Sequence, residues 1–257
     1  MIGCIVQARM GSNRLPGKIM MTLDGKNPVL YFVLKQLQSC KELDKIVVAT
    51  TTLEEDDVIV KYVNDFGLTC FRGNEKDVLD RHYQCAKKFS FSTIVRMPSD
   101  KPLLDPGIVD KVVEIFKTKL YDYVSTVLPP TFPSGTEVEV FSFQALQDAW
   151  NNASLPSERE HVTPYIYNHR DKFRIFNIEN SENISHFRWA VDRKEDLILV
   201  RQIIAKIKKK PILMKDILSL FSKEPELIEI NKKYSLTDEG YLKSLKEDKE
   251  YLKSKKL

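Results

Sequence analysis

What the sequence lacks narrows it first. Its 257 residues hold only four cysteines, Cys4, Cys40, Cys70 and Cys85, scattered with no C-x-x-C pair. That pattern gives no disulfide framework, so they read as reduced, mostly buried thiols, and a cytoplasmic location is expected. No apolar run approaches the length of a membrane span, and no signal peptide precedes the first strand, so no membrane partner is expected. Charge of one sign is also missing. Lys and Arg number 40 against 36 Asp and Glu, a net +4, and much of the lysine excess lies in residues 208–257. Nucleic acid is therefore not implied as a partner. Neither of two familiar phosphate-binding spacings is present, G-x-x-x-x-G-K-[ST] or G-x-G-x-x-G. What remains is an ordinary soluble composition, 42% hydrophobic and 30% charged. The length suits one large α/β domain, or a domain with a smaller appendage.

The chain alternates strand and helix patterns for its first half. Short apolar, β-branched runs at 2–6, 46–50, 68–71, 93–97 and 123–127 read as strands. Helical periodicity follows Pro28 and recurs at 54–66, 77–89 and from the Asp105-Pro106 cap to about Lys119. This predicts a doubly wound, mostly parallel sheet covered on both faces. Ligands of such sheets sit beyond the carboxyl ends of the strands, so the loops at 7–18, 50–53, 72–74 and 98–101 should share one edge. After Leu128 the pattern breaks. Residues 136–141, TEVEVF, alternate like a half-exposed strand. Helices are expected at 143–150, 158–168 and 194–207, strands at 173–178 and 187–191, and two short helices between Pro211 and Ile230. The tail from Leu236, with its repeated YLKS, reads as a solvated helix or frayed end.

The opening loop, Gln7 to Lys18 (QARMGSNRLPGK), carries the densest chemistry. Gly11 and Gly17 let main-chain N–H groups converge, and Arg9, Arg14 and Lys18 supply fixed charge suited to a polyanion such as a triphosphate. An ordinary basic surface loop is the competing reading. Asp100, at the end of the fourth strand, can hold Mg²⁺ against phosphate oxygens, or be a turn aspartate. Asp192 follows an apolar run and on its own reads as a helix N-cap. Asp196 reads as helix surface.

The string A-R-M-G-S-N-R-L-P-G-K resembles the signature of the cytidylyltransferases that make CMP-activated acidic sugars, and its spelling is closest to the spore-coat-polysaccharide (SpsF-like) branch. The resemblance runs, less densely, to about residue 200. S-D-K-P-L-L-D-P and A-V-D-R-K-E-D-L resemble two further family motifs. They imply that Asp100 and Asp192 are metal ligands and, with Arg9 and Lys18, the catalytic residues, although Ser99 and Lys101 depart from commoner choices and Lys101 adds a charge near the metal. The resemblance also implies nucleotide contacts from Gln7, Ala8, Arg9, Met10, Gly11, Ser12, Arg14, Lys18, Arg72, Asp77, Asp80, Arg81, Pro98 and Ser99. Asp77 could equally cap its helix, and Asp80 could pair with Arg81.

Glu137, Glu139, Arg159 and His161 are candidates for an acceptor pocket, with an exposed strand face and a surface Arg–Glu pair as the alternative. The resemblance implies a nucleotide-diphospho-sugar-transferase-like (GT-A-like) fold with an inserted β-arm at 129–170 that packs across a homodimer. Residues 1–208 then form the cytidylyltransferase domain and 209–257 a helical, lysine-rich extension. The implied activity is transfer of CMP from CTP to an acidic sugar, with Mg²⁺ and release of pyrophosphate, for a surface glycan. A phosphonate or phosphate-monoester acceptor is the close variant. A nucleotide-sugar glycosyltransferase and a non-catalytic nucleotide-binding subunit are the rivals. Ser99-Asp100-Lys101 is not the acid-x-acid motif of the first, and the joint presence of Arg9, Lys18, Asp100 and Asp192 argues against the second.

Overall fold

A computed structural model describes residues 1–234 and 239–255. The expected strands form β1 (Ile2–Gln7), β2 (Lys45–Thr51), β3 (Thr69–Gly73), β4 (Thr93–Pro98) and β5 (Tyr123–Ser125), followed by β6 (Glu139–Ser142) and β7 (Ile175–Asn177). They make one seven-stranded sheet in the order β3-β2-β1-β4-β6-β5-β7. β1 to β4 are mutually parallel, β7 is parallel to β5, and only β6 runs against its neighbours. The helices are α1 (Val29–Leu37), α2 (Asp57–Asp65), α3 (Val78–Lys88), α4 (Pro106–Lys117), α5 (Phe143–Asn152), α6 (Pro156–His161), α7 (Pro164–Asn168), α8 (Lys194–Lys206), α9 (Met214–Lys223), α10 (Glu226–Glu229) and α11 (Glu239–Ser254). None is long and apolar enough to cross a membrane, among the described residues.

Strand periodicity explains the layers. Cys4, Val6, Val48 and Val95 point to one face, against α1, α2 and α4. Ile5, Val47 and Ile94 point to the other, against α3, α5 and α7. Both sets are fully buried, as a two-sided sheet requires. A third cluster packs α8 and α9 over the outer side of α1, and Gln36 ties this layer down by exchanging hydrogen bonds with both the N–H and C=O of Ile212.

Gly3 is held small by its neighbour. A Cβ there would lie 2.2 Å from the Phe91 ring, itself buried. Gly3→Ala is expected to destabilise the fold by about 1–3 kcal/mol through forced displacement of that ring. A lower urea midpoint at unchanged slope is the check; an unchanged midpoint would show that Phe91 has somewhere to go.

Several local expectations change in the fold. Arg72 and Gly73, expected in a loop, belong to β3 and pair with Thr50 and Thr51. The stretch expected as a half-exposed strand is interior: β6 is flanked on both sides, and Val138, Val140 and Phe141 are fully buried. Its alternation reflects buried ion pairs, not solvent. The strand ending at Val127 stops at Ser125. The helix expected over 158–168 is two, because Val162 adopts a left-handed φ of 73° and Pro164 cannot continue a helical ladder. Residues 187–191 are not a strand; one bridge, Ser134 to Arg188, fixes them. The tail forms α11, whose inner edge docks on α6: Asp248 accepts from Ser157 N (2.8 Å), and Ser244 Oγ lies 2.9 Å from His161 Nε2. Leu236, where the tail was expected to begin, lies outside the described residues.

Candidate active site

Because β1 to β4 are parallel, the loops that follow them meet at one sheet edge. The loop after β1 is tied back by its own turn, Ser12 N and Gly17 N both donating to Met10 O (2.8 and 2.9 Å). Gly17 takes a φ of 70°, which a side chain would resist. Asp56 anchors the loop from the β2 side. It is fully buried, accepts from Met10 N (2.7 Å) and binds the Thr51 hydroxyl. Among the described residues, the N–H groups of Gly11, Asn13 and Arg14 meet no acceptor.

Opposite this loop, Asp100 and Asp192 come together. The N–H of Val191 donates to Asp100 O (2.8 Å), which ties the two acid-bearing segments. Lys18 inserts between them. Its ammonium reaches Asp100 Oδ2 (3.1 Å), Asp192 Oδ1 (2.8 Å) and Val191 O (2.7 Å), so its three protons are all used. Arg14 reaches the same Asp192 oxygen (2.6 Å), and Arg188 takes the other (2.5 Å). Burial opposes charge on Lys18, but the two aspartates outweigh it and raise its pKa. Burial likewise opposes ionisation of Asp192, yet Lys18, then Arg14 and Arg188, hold its carboxyl well below the usual carboxylate range. Asp192 is thus fixed as an anion. Asp100 is more open, a quarter exposed, and its second oxygen takes no hydrogen bond from the described residues.

The cleft continues past Arg9, whose guanidinium pairs with Glu160 Oε1 at 3.2 Å. Arg81 is buried nearby. It donates to Asn74 O (2.8 Å), while its Nε meets no acceptor among the described residues. Burial, with Arg9 beside it, lowers the Arg81 pKa. Burial also raises that of Glu160, against the pull of Arg9 and Arg81. Gln7, Ala8, Pro98 and Ser99 form the floor. Ser99 N donates to Gln7 O (3.1 Å), Ala8 N donates to Ala49 O (3.1 Å), and Pro98 ends β4 beside Gln7.

Other sequence-predicted residues face elsewhere. Arg72 is committed to Thr51 O, Leu53 O and Asp57. Asp80 does not pair with Arg81; it turns to α5 and accepts from Trp150 Nε1 (2.8 Å) and Gln84 Nε2 (3.0 Å). Asp77 caps α3 and binds Arg159, which also donates to the main-chain O of Trp150 (2.9 Å). His161 is bonded to the tail helix. Glu139 lies in the core, where it takes Arg96, the Tyr123 hydroxyl (2.7 Å) and the Thr163 hydroxyl (2.6 Å). Glu137 meets Lys101 at 3.0 Å, and the same ammonium donates to Glu137 O (2.8 Å). The expected acceptor pocket of Glu137, Glu139, Arg159 and His161 is therefore four separate pairings. Asp196, expected on the helix surface, is fully buried and accepts from Asp192 N and Arg193 N (both 3.0 Å), capping α8 in place of Asp192.

Sequence reasoning missed Asp56, Glu160, Arg188 and Asn231. Asp56 is hidden in the acid run Glu54 to Asp57, with nothing local to single it out. Arg188 stands four residues before Asp192, a spacing that carries meaning only once the backbone between them is known.

Comparison with known proteins follows the same lines. A family model described as cytidylyltransferase matches residues 3–247. An uncharacterized protein of Methanocaldococcus jannaschii is 39% identical over 88% of this chain and 93% of its own. The spore coat polysaccharide biosynthesis protein SpsF of Bacillus subtilis is 30% identical over 86% of this chain and 94% of its own. A solved cytidylyltransferase from Leptospira borgpetersenii superposes with a TM-score of 0.84 at 31% identity, covering 88% of this chain and 96% of that one.

Proposed function

The chain belongs to the cytidylyltransferase family and is a CTP-using nucleotidyltransferase, and from that premise we propose that it transfers CMP from CTP to a small acidic acceptor, foremost an acidic sugar, releasing pyrophosphate. The observation that carries the proposal is the meeting of Lys18, Arg14, Asp100 and Asp192 beneath a loop with free N–H groups.

The chemistry asks for charge neutralisation and alignment, with little covalent work from the protein. In our reading the free amides of Gly11, Asn13 and Arg14 receive phosphate oxygens, and the Arg14 guanidinium, a third exposed, swings from Asp192 onto the same group. Lys18 follows by giving up one carboxylate, so it neutralises the leaving pyrophosphate while still oriented by the other. Arg9, on the rim, exchanges Glu160 for an anion of the nucleotide or acceptor. Asp100 and Asp192 fit a hard divalent cation: both offer carboxylate oxygens, both already hold one shared cation, and Asp100 keeps an oxygen to spare. Bound there, Mg²⁺ would neutralise phosphate charge and lower the pKa of the acceptor hydroxyl. The kinship with SpsF, a spore coat polysaccharide biosynthesis protein, supports a CMP-linked product that feeds a surface glycan.

The test is thermal stabilisation by CTP, UTP, ATP and GTP, each with and without Mg²⁺. A ligand that binds only the native state raises the melting temperature with its concentration over Kd. Selective stabilisation by CTP is expected; equal or absent shifts would overturn the donor assignment. Pyrophosphate release across a panel of acidic sugars, phosphonates and phosphate monoesters then identifies the acceptor.

A further inference from the structure

The chain beyond α8 has no part in the scheme above, yet one of its residues reaches the site. Asn231 is 3% exposed. Its amide Nδ2 donates to Asp196 Oδ1 (2.8 Å) and to the main-chain O of Arg188 (3.1 Å). Asp196 in turn holds Arg188 Nε (3.2 Å), and Arg188 holds Asp192 Oδ2 (2.5 Å). A continuous buried chain of hydrogen bonds therefore runs from the C-terminal extension to the carboxylate in the cleft.

We propose that Arg188 and Asn231 are positioning residues for Asp192, so that the C-terminal extension completes the site. This rests on the reading of Asp192 as a metal ligand given above. Arg188 occupies Oδ2 and leaves Oδ1 facing Lys18 and Arg14 in the cleft. Without it, Oδ2 loses its partner, and once Arg14 and Lys18 turn to the phosphates nothing among the described residues sets which oxygen faces the cleft. Arg188 is itself fixed by a fork onto Asp196, and Asp196 cannot tilt because Asn231 and two main-chain N–H groups use its oxygens. A neutral amide suits position 231: it donates to Asp196 without adding a second cation to compete with Arg188. Tyr234 strengthens the same attachment, its hydroxyl reaching Glu195 (3.2 Å) and its ring lying 4.3 Å from the Arg193 guanidinium. Outer partners of this kind set the orientation, and thus the affinity, of a ligating carboxylate.

The experiment titrates Mn²⁺ by electron paramagnetic resonance in the presence of CTP, alongside metal-free CTP binding by calorimetry. Asn231→Ala and Arg188→Met are compared with wild type and with Lys232→Ala, an exposed neighbour paired with Glu229. The expected result is Mn²⁺ affinity about 10- to 100-fold weaker in both site variants. Metal-free CTP affinity should stay within about twofold, and Lys232→Ala should be unchanged. Unchanged Mn²⁺ affinity in folded Asn231→Ala, or a parallel loss of metal-free CTP binding, would overturn the proposal, the latter because it marks a general structural role. If Asn231→Ala does not fold, Asn231→Ser, too short to reach both acceptors, takes its place with the same expectations. Failure of the wild type itself to bind Mn²⁺ with CTP would instead bring down the functional reading on which this inference stands.

Discussion

Lys18→Met is expected to cut pyrophosphate release about 100- to 1,000-fold, the cost typical of losing one preorganised group from a developing anion. The residue is placed for this effect. Among the described residues it is the one group that touches Asp100, Asp192 and the main chain of the Val191 segment together, and its side chain is only a tenth exposed. Methionine keeps the length and the apolar stem while removing the charge. The fold should persist, since Asp192 keeps Arg14 and Arg188, and Asp100 is open enough to be hydrated. Lys18→Arg is expected to fail nearly as badly, because a planar guanidinium cannot direct protons at three acceptors arranged around a point. The check is kcat with the acceptor identified by the panel, with circular dichroism to confirm folding. Retention of more than a tenth of wild-type kcat in Lys18→Met would remove Lys18 from the mechanism.

Glu139→Gln separates two roles that the sequence left open. Were Glu139 an acceptor ligand, the change would raise KM and leave stability alone. Its position in the core predicts the reverse. Arg96 and Glu139 are each about nine-tenths covered, and the Glu139 carboxylate also takes the Tyr123 and Thr163 hydroxyls. Removing the charge strands the Arg96 guanidinium in the interior, which costs about 3–5 kcal/mol. Urea denaturation at pH 7 should show that loss, while KM for the acceptor moves little.

The pH dependence follows from the direction of the shift. Burial alone would raise the Glu139 pKa, but Arg96, with Thr163 and Tyr123, carries it below the ordinary 4.5. A depressed carboxylate contributes stability above its unfolded pKa and loses it as pH falls through the folded one. The gap between wild type and Glu139→Gln should therefore be full at neutral pH and close below about pH 4.5. A gap unchanged down to pH 3 would show that the pair is not what Glu139 contributes.

The four pairings that replaced the expected acceptor pocket share one cause. Glu137, Glu139, Arg159 and His161 are polar residues in segments that look exposed by alternation or by helical position. Each is matched by a partner distant in sequence: Lys101, Arg96, Asp77 and Ser244. A buried charge and a solvated one produce the same local pattern, and only the identity of the neighbour distinguishes them.

The sequence by itself determined the parallel half of the sheet, the edge on which the loops gather and the opening loop with its three cations. These follow from local rules: side chains alternate along a strand, prolines and aspartates mark helix starts, and a run of short apolar strands separated by helices admits essentially one winding. Asp105 illustrates this, a cap read from two residues and found accepting from Gly107 N at 2.8 Å. Tertiary structure alone decided that Asp196 is buried behind Asp192, and which distant residues hold each acid. Asp192 and Asp196 lie four positions apart in V-D-R-K-E-D-L, and nothing local in that string shows that Asp196 is buried rather than on the helix surface. The fold sets Lys18, 174 positions away, against the first and Asn231, 35 positions on, against the second. An electrostatic partner is chosen by distance in space, and at such separations the chain's own order carries no record of it.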